Sequence, residues 1–100
     1  MDKTEKNIAE KTRTDAKIPK RYIVYLLNDD FTTMDFVVKV LVLYFGHNPR
    51  SAFDIMMKIH KEGRAACGAY PFEIAETKVV QVHTYAKANN FPLRAILEEE

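Results

Sequence analysis

Asn28, Asp29, Asp30 and His60 are the residues of this sequence whose types and spacing could do chemistry. The first three fall in succession within "LLNDDFTTMDFVV", between two strongly apolar runs, and His60 closes "IMMKIH". An amide oxygen, a carboxylate and an imidazole nitrogen are three acceptors, a set that suits a cation carrying several donors. A peptide's α-amino group is such a cation, mostly protonated at neutral pH because its pKa is about 7.7–8.0. Met34, Val37, Met56 and Ile59 are placed to line an apolar hollow beside those acceptors, with the methionines as adaptable wall. That combination permits a receptor for a peptide N-terminus with a bulky hydrophobic first residue. The same residues also fit plainer roles. Asn and Asp serve turns, and a histidine on an apolar helix face serves as a core residue. Thr32-Thr33-Met34-Asp35 reads as a capping box with Thr32 as N-cap. Asp29, Asp30 and His60 are also the types an acid–base or metal-assisted hydrolase uses. Such a hydrolase lacks a second histidine in a suitable place, since His47 follows the stop of the first helix and His83 lies on another helix.

The elements that must position these residues follow from pattern. Tyr22–Leu27 is short, aromatic and β-branched, and reads as a strand. Met34–Phe45 is too long for a usual strand and is followed by Gly46, so it reads as a largely buried helix with one exposed edge near Val42. Asn48-Pro49 opens a second helix as N-cap and N1. Ala52, Ile55, Met56, Ile59 and His60 share one face of it, and Gly63 closes it. Arg64–Tyr70 reads as a central strand with a bulge at Gly68. Pro71 starts a third helix, with Glu73 and Glu76 favoured in its first turn. Ala75, Val79, Val82 and Ala86 form its inner face, Asn89-Asn90 ends it, and Leu93–Leu97 is a last strand. The order β-α-α-β-α-β predicts a single small α+β domain, three helices on a three-stranded antiparallel sheet. Residues 1–19 mix both charge signs with few apolar side chains, and are expected to form a flexible tail before a folded domain at 20–100.

Composition narrows the partners. At 100 residues the chain holds one domain at most, and 47% hydrophobic with 29% charged residues is ordinary for a soluble globular protein. A net charge of +1, from 15 Lys and Arg against 14 Asp and Glu, lacks the basic excess of a nucleic-acid binder. The apolar run Val40–Phe45 is far short of a membrane span, and the charged N-terminus carries no signal-peptide core. Cys67, the only cysteine, has small neighbours and reads as a buried structural thiol. No zinc-ligand spacing is present, so neither metal nor cofactor is expected, and the expected compartment is a reducing cytoplasm.

Taken in order, "LLNDDFTTMDFVV", "IMMKIH", "GRAACGAY", "EIAETKV" and "FPL" resemble the ClpS adaptor family over nearly all of residues 20–100. The resemblance implies a monomeric, non-enzymatic adaptor that reads N-degrons beginning with Leu, Phe, Tyr or Trp. It implies delivery to the N-terminal domain of a ClpA-type AAA+ unfoldase and its ClpP protease. By position, Asn28, Asp29 and His60 match the α-amino contacts, and Asp30 and Thr32 shape the same loop. Met34, Val37, Met56, Ile59 and Leu93 match the side-chain pocket, with Met34 as the gate against β-branched first residues. Glu73 and Lys78 match unfoldase-docking positions, and a flexible N-terminal extension helps hand over substrate. Three positions depart from the pattern: Thr33 stands for a frequent proline, Pro71 for a frequent Thr or Ser cap, and Ile59 for a smaller Val that would leave a wider pocket. A paralogue that mainly restrains the unfoldase is the alternative within the family.

Overall fold

The computed structural model describes residues 20–100, so the tail read at residues 1–19 lies outside the described residues. The elements are β1 (Arg21–Leu27), α1 (Met34–Phe45), α2 (Pro49–Glu62), β2 (Arg64–Pro71), α3 (Phe72–Ala88) and β3 (Arg94–Glu99). The strands form one antiparallel sheet in the order β2-β1-β3, and the helices cover it, which is the α+β architecture expected from the pattern.

β1 is central because its alternation suits it to pack on one face and pair on both edges. Val24 and Leu26 are fully buried under the helices, together with Val40, Leu41, Ala75 and Val82. The opposite face is open to solvent, as antiparallel sheets allow, and carries charged side chains beside the half-buried Ile23, Tyr25 and Ile96. There the Arg64 guanidinium lies 4.1 Å from the centre of the Tyr25 ring and pairs with Glu98 at 2.8 Å. Further along the same strands Lys20 pairs with Glu99 and Arg21 with Glu100, both at 3.3 Å and both largely in solvent.

A bulge interrupts β1–β2 pairing: Val24 faces Gly68 but Tyr25 faces Ala66, which leaves Cys67 as the extra residue. His47, in the α1–α2 junction, stabilises this point, with its Nε2 2.7 Å from the Cys67 carbonyl oxygen. A carbonyl can only accept, so Nε2 carries the proton and Nδ1 is left to accept from the Ser51 hydroxyl at 3.3 Å. Burial pushes the Cys67 thiol up to about 12, despite a backbone hydrogen bond from Leu26, so it stays protonated and inert.

Helix ends follow local chemistry, with two changes from the sequence reading. Gly46 and Gly63 end α1 and α2 in left-handed conformations, with φ of 69° and 91°. Asn48 caps α2 by accepting from the Ser51 N–H at 2.8 Å. The cap of α1, however, is Thr33, whose hydroxyl accepts from the Phe36 N–H at 3.2 Å, and not Thr32. Pro71 sits one position earlier than N1, as the N-cap residue of α3, and supplies no side-chain cap. The inner face of α3 buries Ala75, Val82 and Ala86, while Val79 is only half-buried. On α1 the edge at Val42 and Leu43 is exposed, as the pattern predicts.

Thr33→Ala should therefore destabilise the domain by about 1 kcal/mol, a fall in Tm of roughly 4–8 °C for a domain of this size. Thermal unfolding followed by circular dichroism checks it, and an unchanged Tm would remove Thr33 from the cap.

Candidate functional site

The joint between β1 and α1 is shaped by Asp29. Its Oδ1 accepts the Phe31 N–H at 2.8 Å and the Thr32 N–H at 2.6 Å, and its Oδ2 accepts the Thr32 hydroxyl at 2.7 Å. Thr32 is drawn back onto Asp29, which is why the cap passes to Thr33. A backbone bond then ties the joint to the end of α2, as the Asn28 N–H donates to the Gly63 carbonyl at 2.9 Å. Since Gly63 itself closes the last turn of α2 on Ile59, this bond places the 28–30 segment beside the turn that carries Ile59 and His60.

Between them lies a hollow of about 250 Å³, small for a ligand pocket and suited to one side chain. Met34 and Val37 of α1 line it, with Met56, Ile59 and His60 of α2 and Asn28, Asp29, Asp30 and Thr32 of the joint. Val37, Met56 and Ile59 are nearly fully buried and form its fixed wall, whereas Met34 is 44% exposed and stands where it can move. His60 and Asn28 are exposed, so the polar groups other than Asp29 sit at the mouth. Among the described residues neither the side-chain amide of Asn28 nor the His60 ring makes a hydrogen bond.

The electrostatics of the mouth rest on Asp29. Partial burial pushes its carboxyl up, but the Thr32 N–H, the Thr32 hydroxyl and the Phe31 N–H together hold it below the usual carboxylate value. It is therefore ionised at neutral pH. A carboxylate offers about four lone-pair sites. The loop's hydrogen bonds take three of them, which leaves capacity for one donor from outside.

Three sequence-selected residues lie elsewhere. Leu93 is 3% exposed and does not line the hollow; it belongs to the buried cluster that includes Val37, Met56 and Ile59. Glu73 is exposed in the first turn of α3, and Lys78 holds its ammonium 5.5 Å from the centre of the Tyr70 ring. The other two histidines are also away from the hollow. His47 is bound to Cys67, and His83 Nε2 accepts the Ala95 N–H at 3.0 Å. Among the described residues no three His, Cys, Asp or Glu side chains are grouped to hold a metal ion, and no helix is long and apolar enough to cross a membrane. The sequence reading gave no role to Phe31, although an aromatic residue inside an acidic joint was a visible signal.

Residues 17–96 match the family model described as ATP-dependent Clp protease adaptor protein ClpS. The ATP-dependent Clp protease adapter protein ClpS of Wolinella succinogenes is 57% identical over 81% of this chain and 79% of its own length. That of Shewanella loihica is 48% identical over 93% of this chain and 91% of its own. Among solved structures, Agrobacterium tumefaciens ClpS2 bound to L-phenylalaninamide superposes with a TM-score of 0.80 at 37% identity, over 83% of this chain and all of the other. The chain belongs to the ClpS family of ATP-dependent Clp protease adaptors.

The role of Asp29 sets its pH behaviour. Its folded pKa lies below the unfolded one, so its contribution is complete above the unfolded value of about 3.9 and is lost as pH falls through the lowered value. A titration of the Asp29 carboxyl carbon by NMR should be flat from pH 8 to about 5 and inflect only below about 3.9. An inflection above that would contradict the hydrogen-bonded loop.

Proposed function

We propose that the hollow receives the first residue of an N-degron, its α-amino group at the mouth and its side chain within, and that the chain delivers such substrates to a ClpA-type unfoldase for ClpP. The observation that carries this reading is the pairing of an ionised Asp29, with acceptor capacity to spare, and a side-chain-sized apolar hollow. Asn28 and His60 supply the remaining acceptors for an ammonium with three donors. The ligand named with the Agrobacterium relative supports the same chemistry. L-phenylalaninamide has a free amine, a benzyl side chain, and a neutral amide where a second residue would be joined.

Burying a Leu or Phe side chain contributes roughly 1.5–3 kcal/mol, so Leu, Phe, Tyr and Trp are favoured over Ala. Met34 is the proposed gate, since a β-branched first residue is stiff at χ1 and cannot turn away from it. Catalysis fits poorly. Three of the lone-pair sites of Asp29 are committed to the loop, and His60 is the only histidine at the hollow. We therefore favour a non-enzymatic, monomeric adaptor acting in the cytoplasm, where a lone buried thiol would remain reduced.

Titration with short peptides differing at the first residue tests the site. N-acetylation of a Phe-starting peptide should weaken binding by about 2–5 kcal/mol, because it removes the charge that Asp29 meets. In the same series Val and Ile should bind poorly, and Met34→Ala should improve both relative to Leu. Equal affinity for free and acetylated peptides would refute the amine site, and an unchanged Val-to-Leu ratio in the variant would make Met34 packing only.

For unfoldase docking we propose the start of α3. Glu73 and Lys78 stand there beside Phe72 and Ile74, two apolar side chains that are 45% and 48% exposed. Glu73→Ala with Lys78→Ala should weaken binding to the unfoldase N-terminal domain at least several-fold while peptide affinity stays constant. Loss of both together would show these residues to be structural.

A further inference from the structure

A second hollow, of about 380 Å³, lies against the same joint. It shares the 28–30 segment with the first hollow, and its remaining lining is separate: Leu27, Phe31, Pro92 and Arg94. The segment is thus a ridge with a hollow on either side. Leu27 and Arg94 are cross-strand partners of β1 and β3, so the floor of the second hollow is held by the sheet.

Two features of this hollow have no internal explanation. Phe31 is 77% exposed, yet its backbone is held by the bond to Asp29, so the ring is presented from a fixed point. Arg94 is exposed and makes no ion pair among the described residues, which leaves its fork of donors available.

We infer that the second hollow is a subsite for the side chain of the substrate's second residue and that it takes an apolar one. This rests on the α-amino reading of the first hollow. Successive side chains of an extended chain point to opposite sides, about 3.3 Å apart along its length. A peptide lying along the ridge with its first side chain in one hollow therefore turns its second toward the other. Leu27, Phe31 and Pro92 offer that side chain an apolar surface, and Arg94 can donate to the peptide carbonyls beside it.

The test uses the full chain and three amidated peptides, Phe-Ala-Ala-Ser, Phe-Leu-Ala-Ser and Phe-Ala-Leu-Ser, each free and N-acetylated, titrated by fluorescence anisotropy. Leu at the second position should tighten binding about three- to ten-fold over Ala, the gain for partly burying one such side chain. Leu at the third position should change it less than two-fold. Phe31→Ala should erase the second-position gain and leave Phe-Ala-Ala-Ser unchanged; the exposure of the ring makes misfolding no explanation. Equal affinity for the three free peptides, a gain at the third position instead of the second, or a gain that survives Phe31→Ala would each overturn the subsite. Acetylated peptides that bind as well as free ones would instead overturn the first hollow's reading, so the two failures are distinct.

Discussion

The joint after β1, and with it the hollow between α1 and α2, depends on how one carboxylate folds the chain. Asp29 gathers two backbone N–H groups and a hydroxyl within the next three residues, and in doing so turns the chain from the sheet toward α1. Without that turn Thr33 would not reach its capping position and Met34 would not stand over Val37. The Asn28–Gly63 bond then fixes where the turn sits relative to α2. The charge at the mouth and the shape of the hollow are therefore one construction, because the hydrogen bonds that form the loop also keep Asp29 ionised.

Much of this was legible in the sequence because the signals are local. Gly46 and Gly63 follow apolar runs that need a stop, and Asn48-Pro49 carries both a cap and a preset φ. The element order and the bulge near Gly68 came from such cues. The choice between two adjacent threonines as cap did not, because each is competent and the decision is made by Asp29 from outside the helix. Leu93 shows a different limit: burial is readable from its type, but which side of the core it serves is decided by packing. The second hollow was least legible, since Phe31 comes to share it with Pro92 and Arg94 only because the β1–β3 register sets Leu27 against Arg94.

The three histidines show how environment separates identical side chains. His47 fastens the helix junction to the bulge, His83 takes a strand N–H that lacks a partner within the sheet, and His60 is left at the mouth of the hollow. From sequence they differ only in their neighbours. In the fold, His47 commits both ring nitrogens and His83 its Nε2 to holding the frame in place, and His60 is left exposed at the hollow.

The glutamates that close β3 bear on a different hazard. An outer strand presents unpaired backbone groups, which invite a further strand from any exposed chain nearby. Glu98, Glu99 and Glu100 meet their cations toward β1 and β2, and carry carboxylates at the end of that strand. A second copy laid parallel and in register along it, or an acidic chain segment beside its end, would bring like charges together, whereas an antiparallel copy would set Arg94 against Glu99. Charge at the end of an edge strand thus opposes edge-to-edge pairing in that one orientation.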